Sequence, residues 1–485
     1  MFTDITYQDW EATPESERLE LLEKIIKQYK ASEDFQTGLE ADQYDKSNNT
    51  AIAQKYVLKP TTITVNTEIE GVTKKIPTTQ KVEGNRLSSS FLRRFTLQES
   101  QFLLGNGVTL KNASNKKHLG LGFDTALARI GRKALLHGVC WGYWNLDHIE
   151  VLEAVKDGLS GFVAVLDEMT GAPMLGVHFW QISSKKPLYV RLFESEGVTL
   201  YRKAKGDKTL VEQEPRRGYK LTTISDAAGV VSAQMDNYGG ALPIIPLFGN
   251  EDRMSELTPS IKTKIDAYDR ILSDFGDNLD RANDVYWVLN NFGGSTAQIA
   301  EMLEQINTLK AVLNQSDGTG AGSTAEPHTL DVPHAARQTA LDILRRAMYE
   351  DYMALDTSEF TGSSLTNVGI EAATINLNLK ADGLEWGAFA FVQGVLRLIG
   401  VETEEISFKR REIVNKSEIV QDIILMSEYL DDETVLKKIP YIEQEEIPKI
   451  LENVNARRMT GYSNAEYADR AAKKVKNDGQ DDIER

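Results

Sequence analysis

The sequence predicts an α+β protein. A mixed N-terminal region of helices and mostly antiparallel strands precedes a long two-helix hairpin with a small inserted module, and a helical C-terminal region follows. Three observations predict this. Capped amphipathic runs alternate with short extended ones over residues 13–136, short strands and turns fill 161–247, and residues 258–288 carry a heptad of apolar positions too long for one small core to cover.

The elements follow in order. Thr13-Pro14-Glu15 opens an amphipathic helix with Leu19, Leu22, Ile26 and Tyr29 on one face. Polar, turn-rich sequence runs to about Thr50. Residues 56–79 read as extended chain or a hairpin, with Val57, Ile63, Val65, Ile69 and Ile76 set among Thr and Lys. Asn85 is placed to cap a helix over Arg86–Leu104, which stops at Gly105-Asn106-Gly107 before a short strand from Val108. Asp124 caps the next helix, to about Leu136, and the apolar run from His137 to Asn145 reads as a buried strand. Turns at Thr170-Gly171, Gly206-Asp207 and Asp236-Asn237 then punctuate a series of short strands.

Thr258 caps the long helix and Pro259 sits at its first position, where a missing N–H costs nothing. Ile261, Ile265, Tyr268, Leu272, Phe275, Leu279, Ala282 and Tyr286 form its seam, which predicts a helix to Val288, roughly 45 Å long at ~1.5 Å per residue. Asp266, Asp269, Asp274, Asp277, Asp280 and Asp284 lie off that seam, relieved by Arg270 and Arg281. They read either as a solvated face or as the wall of a channel whose negative charge repels phosphate and so prevents DNA from sticking. Beyond lie a helix over Ser295–Asn314, a Gly/Ser/Thr tract, and a second long helix over His334–Leu355 with Leu341, Leu344, Met348 and Tyr352 on one stripe. Residues 356–369 form a polar loop. A helix over Ile370–Ile399 has Gly383, Gly387 and Gly394 as kink or close-packing points, and residues 407–467 read as helical and highly charged.

At 485 residues and 41% hydrophobic composition, the chain can bury a substantial core in several domains. A net charge of −17 argues against tight, static nucleic-acid binding. The single cysteine, Cys140, excludes an internal disulfide and fits a reducing compartment; in its apolar run it reads as an inert buried thiol. With no signal-like N-terminus and no run of 18 apolar residues, the protein is expected to be soluble and intracellular when made. The glycines at 318, 320 and 322 lack the lysine of a phosphate-binding loop. The six histidines make no metal-ligand spacing, and no nucleophile elbow appears, so neither cofactor nor metal nor enzymatic activity is expected. Lys409-Arg410-Arg411 is placed to touch phosphate, to form a surface strand edge or to join an ion-pair network.

Four stretches together are more specific. Asn85-Arg86-Leu87 through Leu103-Leu104-Gly105-Asn106-Gly107-Val108 is similar to a helix-and-turn pattern NR…F…Y-L-x-G-x-P-V, with Gly107 in place of proline. Ala126 to Tyr143 is similar to a helix followed by a G-x-x-Y strand. Leu242-Pro243-Ile244-Ile245-Pro246, Asn250-Glu251 and Ile265 through Asp274 match IP-I-x-x-x-N…ID-x-YD…SD. Val368-Gly369-Ile370-Glu371-Ala372 approximates an SG-x-A element, with valine for serine and one residue more of spacing. In this order the chain resembles the portal proteins of tailed double-stranded DNA bacteriophages, of the long-tailed type.

That resemblance implies an architecture: a wing (1–254), a first stem helix (255–288), a clip (289–333), a second stem helix (334–355), a tunnel loop (356–369), a long kinked wing helix (370–400), and a crown with a C-terminal tail (401–485). It implies a homo-oligomeric ring, a dodecamer in the family, at one vertex of the capsid. The ring would be conduit and valve for DNA packaging and ejection, with terminase, a head-tail connector and the major capsid and scaffolding proteins as partners and no membrane. The protein would reside in the virion, and in the host cytoplasm during assembly. Ser358, Phe360, Thr361, Gly362, Ser363, Ser364, Leu365, Thr366 and Asn367 would face DNA, with Gly362 and Gly369 letting the loop change shape. The stem aspartates would line the channel or pair between subunits. Two rival readings are another oligomeric long-helix scaffold or adaptor, and a hydrolase with an acidic cleft.

Overall fold

The computed structural model describes residues 3–53, 55–66, 73–225, 231–282, 286–290, 324–328, 334–360, 366–401, 404–411, 416–427, 429–439, 442 and 446–456. It divides into two units. The first holds Met1–Leu355 and Asn376–Arg411, the second Asp356–Ile375 and Glu412–Arg485.

The first unit begins with helices α1 (Tyr7–Ala12), α2 (Arg18–Ala31), α3 (Glu33–Asp45) and α4 (Thr50–Ala53). A capping box between Thr6 and Asp9 starts α1. Leu22, Ile26 and Tyr29 are buried on α2 as the amphipathic pattern predicts. The polar sequence after it is not turns: α3 is capped by Ser32 and buries Phe35, Ala41 and Tyr44, three contacts sparse enough among polar residues to hide a helix. Strands β1 (Tyr56–Asn66) and β2 (Thr73–Glu83) pair antiparallel as the expected hairpin.

Helix α5 spans Phe91–Leu104, so Asn85 does not cap it; residues 84–90 precede the helix. After β3 (Val108–Leu110) and α6 (Ala113–His118), α7 (Phe123–His137) starts at Gly122, whose φ of 82° suits glycine. Asp124 is not the cap. It accepts from the Val108 amide at 3.1 Å and pairs with Lys116 at 2.8 Å, tying α7 to β3.

Strands β4 (Val139–Asn145) and β5 (His148–Glu153) form a three-stranded sheet with β14 (Ile244–Phe248), in the order β14-β4-β5. β6 (Val155–Lys156), β7 (Ser160–Leu166), β8 (Pro173–Trp180), β9 (Leu188–Glu194), β10 (Gly197–Lys203) and β11 (Val211–Arg217) form an antiparallel sheet in sequence order. β12 (Lys220–Ser225) and β13 (Val231–Asp236) make a separate hairpin. One core lies where α1 and α2 cover the larger sheet, around Trp10, Leu22, Ile25, Phe35, Val163 and Phe179. Cys140 is fully buried in another, and burial pushes its thiol well above the usual range, as expected of an inert cysteine.

Helix α8 runs Pro259–Ala282 and ends earlier than the heptad predicts. Tyr286 leaves the seam because β15 (Tyr286–Asn290) pairs antiparallel with β16 (Thr324–His328). Aromatic and β-branched residues fit an extended pair better than a helix end. The helix expected over Ser295–Asn314, with the tract after it, lies outside the described residues. Helix α9 (His334–Tyr352) ends at Met353, whose φ is 63°.

Helix α10 (Asn367–Leu398) begins three residues before the expected start and runs across the division between the units. Within the first unit a Cβ on Gly387 would lie 2.2 Å from the Phe248 carbonyl oxygen, and one on Gly394 would lie 2.9 Å from Ile245 Cγ2; both glycines permit close packing on β14. Residues 407–467 are not helical throughout, since β17 (Ile406–Phe408) pairs with β3. Arg410 binds Asp382 and, at 2.6 Å, Glu385, and the Arg411 amide donates to the Phe102 carbonyl at 2.8 Å. Of the readings of this basic run, the structure gives the ion-pair network for Arg410, and the run directly follows β17. In the second unit, α11 (Lys416–Met426) and α12 (Asp432–Lys438) are helical, and Asp431 caps α12 through the Thr434 amide at 3.0 Å. Among the described residues, no helix is long and apolar enough to cross a membrane.

Candidate functional site: a long helix pair and its acidic ladder

Thr258 Oγ1 accepts from the Ile261 amide at 3.4 Å at the start of α8. Ile261 and Ile265 are buried with Met348, Tyr349 and Tyr352 of α9 and with Phe91 and Phe95 of α5. Tyr268 meets Phe91 edge-on, ring centroids 5.1 Å apart. Asp351 on α9 accepts from Ser260 at 2.6 Å and binds Lys264, and Arg337 lies 6.0 Å from the Phe275 ring centroid. The two long helices therefore pack along their length. The seam is unevenly covered: Ile265 is 1% exposed, Leu272 and Phe275 are half-buried, and Leu279 is 51% exposed.

The aspartates depart most from expectation. Asp266 and Asp269 are buried, at 6% and 0% exposure, so a solvated face or channel wall does not describe them. Asp266 accepts from the Tyr44 hydroxyl and from Lys262 at 2.9 Å. Asp269 accepts from the Asn49 amide group and from the Ser89 backbone N–H at 2.9 Å. Ser273 accepts from the Leu87 N–H at 3.0 Å, and Asp277 from the Asn85 N–H at 2.7 Å and from Lys55 at 2.7 Å. Asp280 receives the Asn85 side-chain amide at 2.8 Å, and the exposed Asp274 pairs with Lys55 at 2.8 Å.

The spacing explains the pattern. Amides of residues 85, 87 and 89 donate in turn to residues 277, 273 and 269. Two residues of extended chain advance ~6.6 Å, and one helical turn of four residues advances ~6 Å. An extended segment lying antiparallel to a helix can thus offer every second amide to every fourth helical side chain. Asn85, expected as a helix cap, is one rung of this ladder. Burial pushes the Asp269 carboxyl up, and the donors from Asn49 and Ser89 oppose it. Ser273→Ala removes the acceptor for one buried rung. It is expected to cost about 1 kcal/mol in denaturant unfolding, with little change in circular dichroism.

Asp284 and the central loop residues Thr361, Gly362, Ser363, Ser364 and Leu365 lie outside the described residues. Ser358 and Phe360 sit in a single 3-10 turn, Thr357–Phe360, where Asp356 accepts from the Ser358 amide at 3.0 Å. Thr366 caps α10 by accepting from the Gly369 amide at 3.2 Å, and Asn367 is already helical. Gly369 therefore belongs to the helix, not to the loop.

The ladder carboxylates hold no cleft open for acid-base work, because the donors named above occupy them. An open cleft of ≈ 590 Å³ beside α5 and α7 is lined by Arg129, Arg132 and Lys133 with the single acid Asp124. The cleft offers one acid, where hydrolysis by a carboxylate pair needs two.

A family model described as "Phage portal protein, SPP1 Gp6-like" matches residues 9–457. The portal protein of Bacillus phage SPP1 is 25% identical over 433 residues, which are 82% of this chain and 80% of that protein. The portal protein of Clostridium phage phiCD119 is 28% identical over 147 residues, and the match spans only 32% of that relative and 30% of this chain. A solved structure, the neck of an empty GTA particle computed with C6 symmetry, aligns with a TM-score of 0.37 at 10% identity over 71% of this chain and 88% of that one; a likeness of that size carries no argument. With the family model matching nearly from end to end, the chain belongs to the phage portal protein family, SPP1 Gp6-like.

Proposed function

We propose that this chain forms a ring at one capsid vertex and serves as the conduit and valve for double-stranded DNA during packaging and ejection. The observation that carries this reading is the family match over residues 9–457. On it, α8 and α9 are the stem, residues 289–333 the clip that docks terminase and later the head-tail connector, residues 356–366 the tunnel loop, and the region after Gly400 the crown. The work needs no bond chemistry in this chain; the driving hydrolysis belongs to the motor it docks. Of the stem aspartates, Asp274 and Asp280 keep the exposure that a channel or subunit-contact role requires.

Particles assembled without this chain should contain no nuclease-protected DNA, and restoring it should restore protection; full protection without it would refute the conduit. Deleting residues 358–366 should leave rings intact while impairing packaging or retention, and normal packaging and retention would remove the loop from the mechanism. The exposed end of the seam gives a further expectation. Leu279→Asp should leave the unfolding free energy within about 0.5 kcal/mol of wild type yet reduce ring assembly, measured as oligomer mass by light scattering. An unchanged mass would show that this end of α8 is not a subunit contact.

A further inference from the structure

One buried polar cluster joins α5, the segment before α8, the end of α9 and the middle of α10. Glu99 on α5 is 1% exposed and accepts from the Tyr352 hydroxyl at 2.8 Å. Lys380 on α10 lies 4.2 Å from the Tyr352 ring centroid and 2.7 Å from Glu256, which also accepts from Asn250 at 2.9 Å. Beside Glu99, Gln98 makes a two-point contact with the backbone of Leu355. Its Nε2 donates to the carbonyl at 2.9 Å, and its Oε1 accepts from the amide at 3.0 Å. Tyr352 and Leu355 close the chain before the 356–366 segment, and Lys380 stands on the helix that follows it.

We propose that Gln98, Glu99, Tyr352, Glu256 and Lys380 form a clamp that fixes the end of α9 and the middle of α10 within the first unit, beside the two places where the chain leaves that unit and re-enters it, making them positioning residues for those two ends. Two buried acids share one lysine, an arrangement that apolar packing would replace at no loss of stability. What the polar cluster adds is direction: the two-point amide contact admits one placement of Leu355, and the Lys380 ammonium must reach a ring face and a carboxylate together. Burial, with Glu256 adding to it and Lys380 and the Tyr352 hydroxyl opposing, pushes Glu99 up to about 8. The folded clamp thus favours protonated Glu99. Its contribution is full below the ordinary carboxyl value of 4.5, falls as pH rises from there to about 8, and leaves two carboxylates against one ammonium above it. The groups facing Glu99 are Tyr352, Glu256 and Lys380.

For its consequence in DNA handling, the inference rests on the tunnel-loop reading; the clamp itself does not. Hydrogen exchange on the full-length protein, with peptides covering 352–360 and 376–384, tests it. Gln98→Ala should speed exchange of the Leu355 amide at least tenfold, and Tyr352→Phe should speed exchange in both peptides. Wild type should lose protection in both between pH 5 and pH 8, after correction for intrinsic exchange, whereas Glu99→Gln should not. Unchanged protection in Gln98→Ala and Tyr352→Phe would overturn the clamp. Should those variants fail to fold, an identical pH response of Glu99→Gln and wild type would overturn it alone. Faster exchange with normal DNA retention in assembled particles would uphold the clamp and overturn the tunnel-loop reading.

Discussion

Ile265→Asp is expected to prevent folding of the helix pair altogether. Ile265 is 1% exposed and packs where α8, α9 and α5 meet, among Phe91, Phe95, Met348 and Tyr352. The side chains clustered with it are apolar and aromatic, and Asp269, one turn along the same side of α8, is a second buried acid whose donors are Asn49 and Ser89. Removing the apolar side chain and burying an unpaired charge together exceed ~4 kcal/mol, enough to unfold a marginal protein. Ile265→Ala keeps the core apolar and should cost about 2–4 kcal/mol, leaving a folded but less stable chain. Denaturant melts monitored by tyrosine fluorescence and circular dichroism would read both. Equal behaviour of the two variants would contradict the placement of Ile265 in a dry core.

Asp269→Leu is expected to detach the extended segment from α8. The leucine removes the acceptor of the Ser89 amide and of the Asn49 side chain in a place with no solvent access. Two buried donors lose their partner, at about 1–3 kcal/mol each, so a loss of ~3 kcal/mol and faster proteolysis near residues 84–90 are expected. Asp269→Asn retains a carbonyl acceptor for Ser89 and should cost clearly less. Because Asp269 is held above the usual carboxyl range by burial, its own contribution falls as pH rises above 3.8, and the asparagine variant should lack that dependence. An asparagine variant as damaged as the leucine variant would show that charge, and not acceptance, holds the segment.

The long helix pair was legible because its seam is written in large apolar side chains at regular spacing, and such residues carry their burial with them. Its end was not: Tyr286 satisfies a heptad and a strand equally, and pairing with residues 324–328, far along the chain, decided between them. The aspartates were misread for a related reason. The partners of Asp269 and Asp277 at 89 and 85 are backbone amides, which have no residue signature, and they lie some 180 residues or more away. A row of acids on a helix then looks solvated whether or not another segment of chain covers it. Asn85 showed the same ambiguity, since a cap and a ladder rung ask for the same side chain. Arg410 was legible only as a set of alternatives, because the acids that claim it sit on α10, far from it in sequence. Of the loop expectation, the described residues bear on its end alone, where the cap at Thr366 starts α10 at Asn367.

The central claim is that this chain assembles into a closed ring with a passage through it. Electron micrographs of the purified full-length protein test that most directly. Ring-shaped particles with a central hole are the expected result, and filaments or simple dimers would contradict ring assembly.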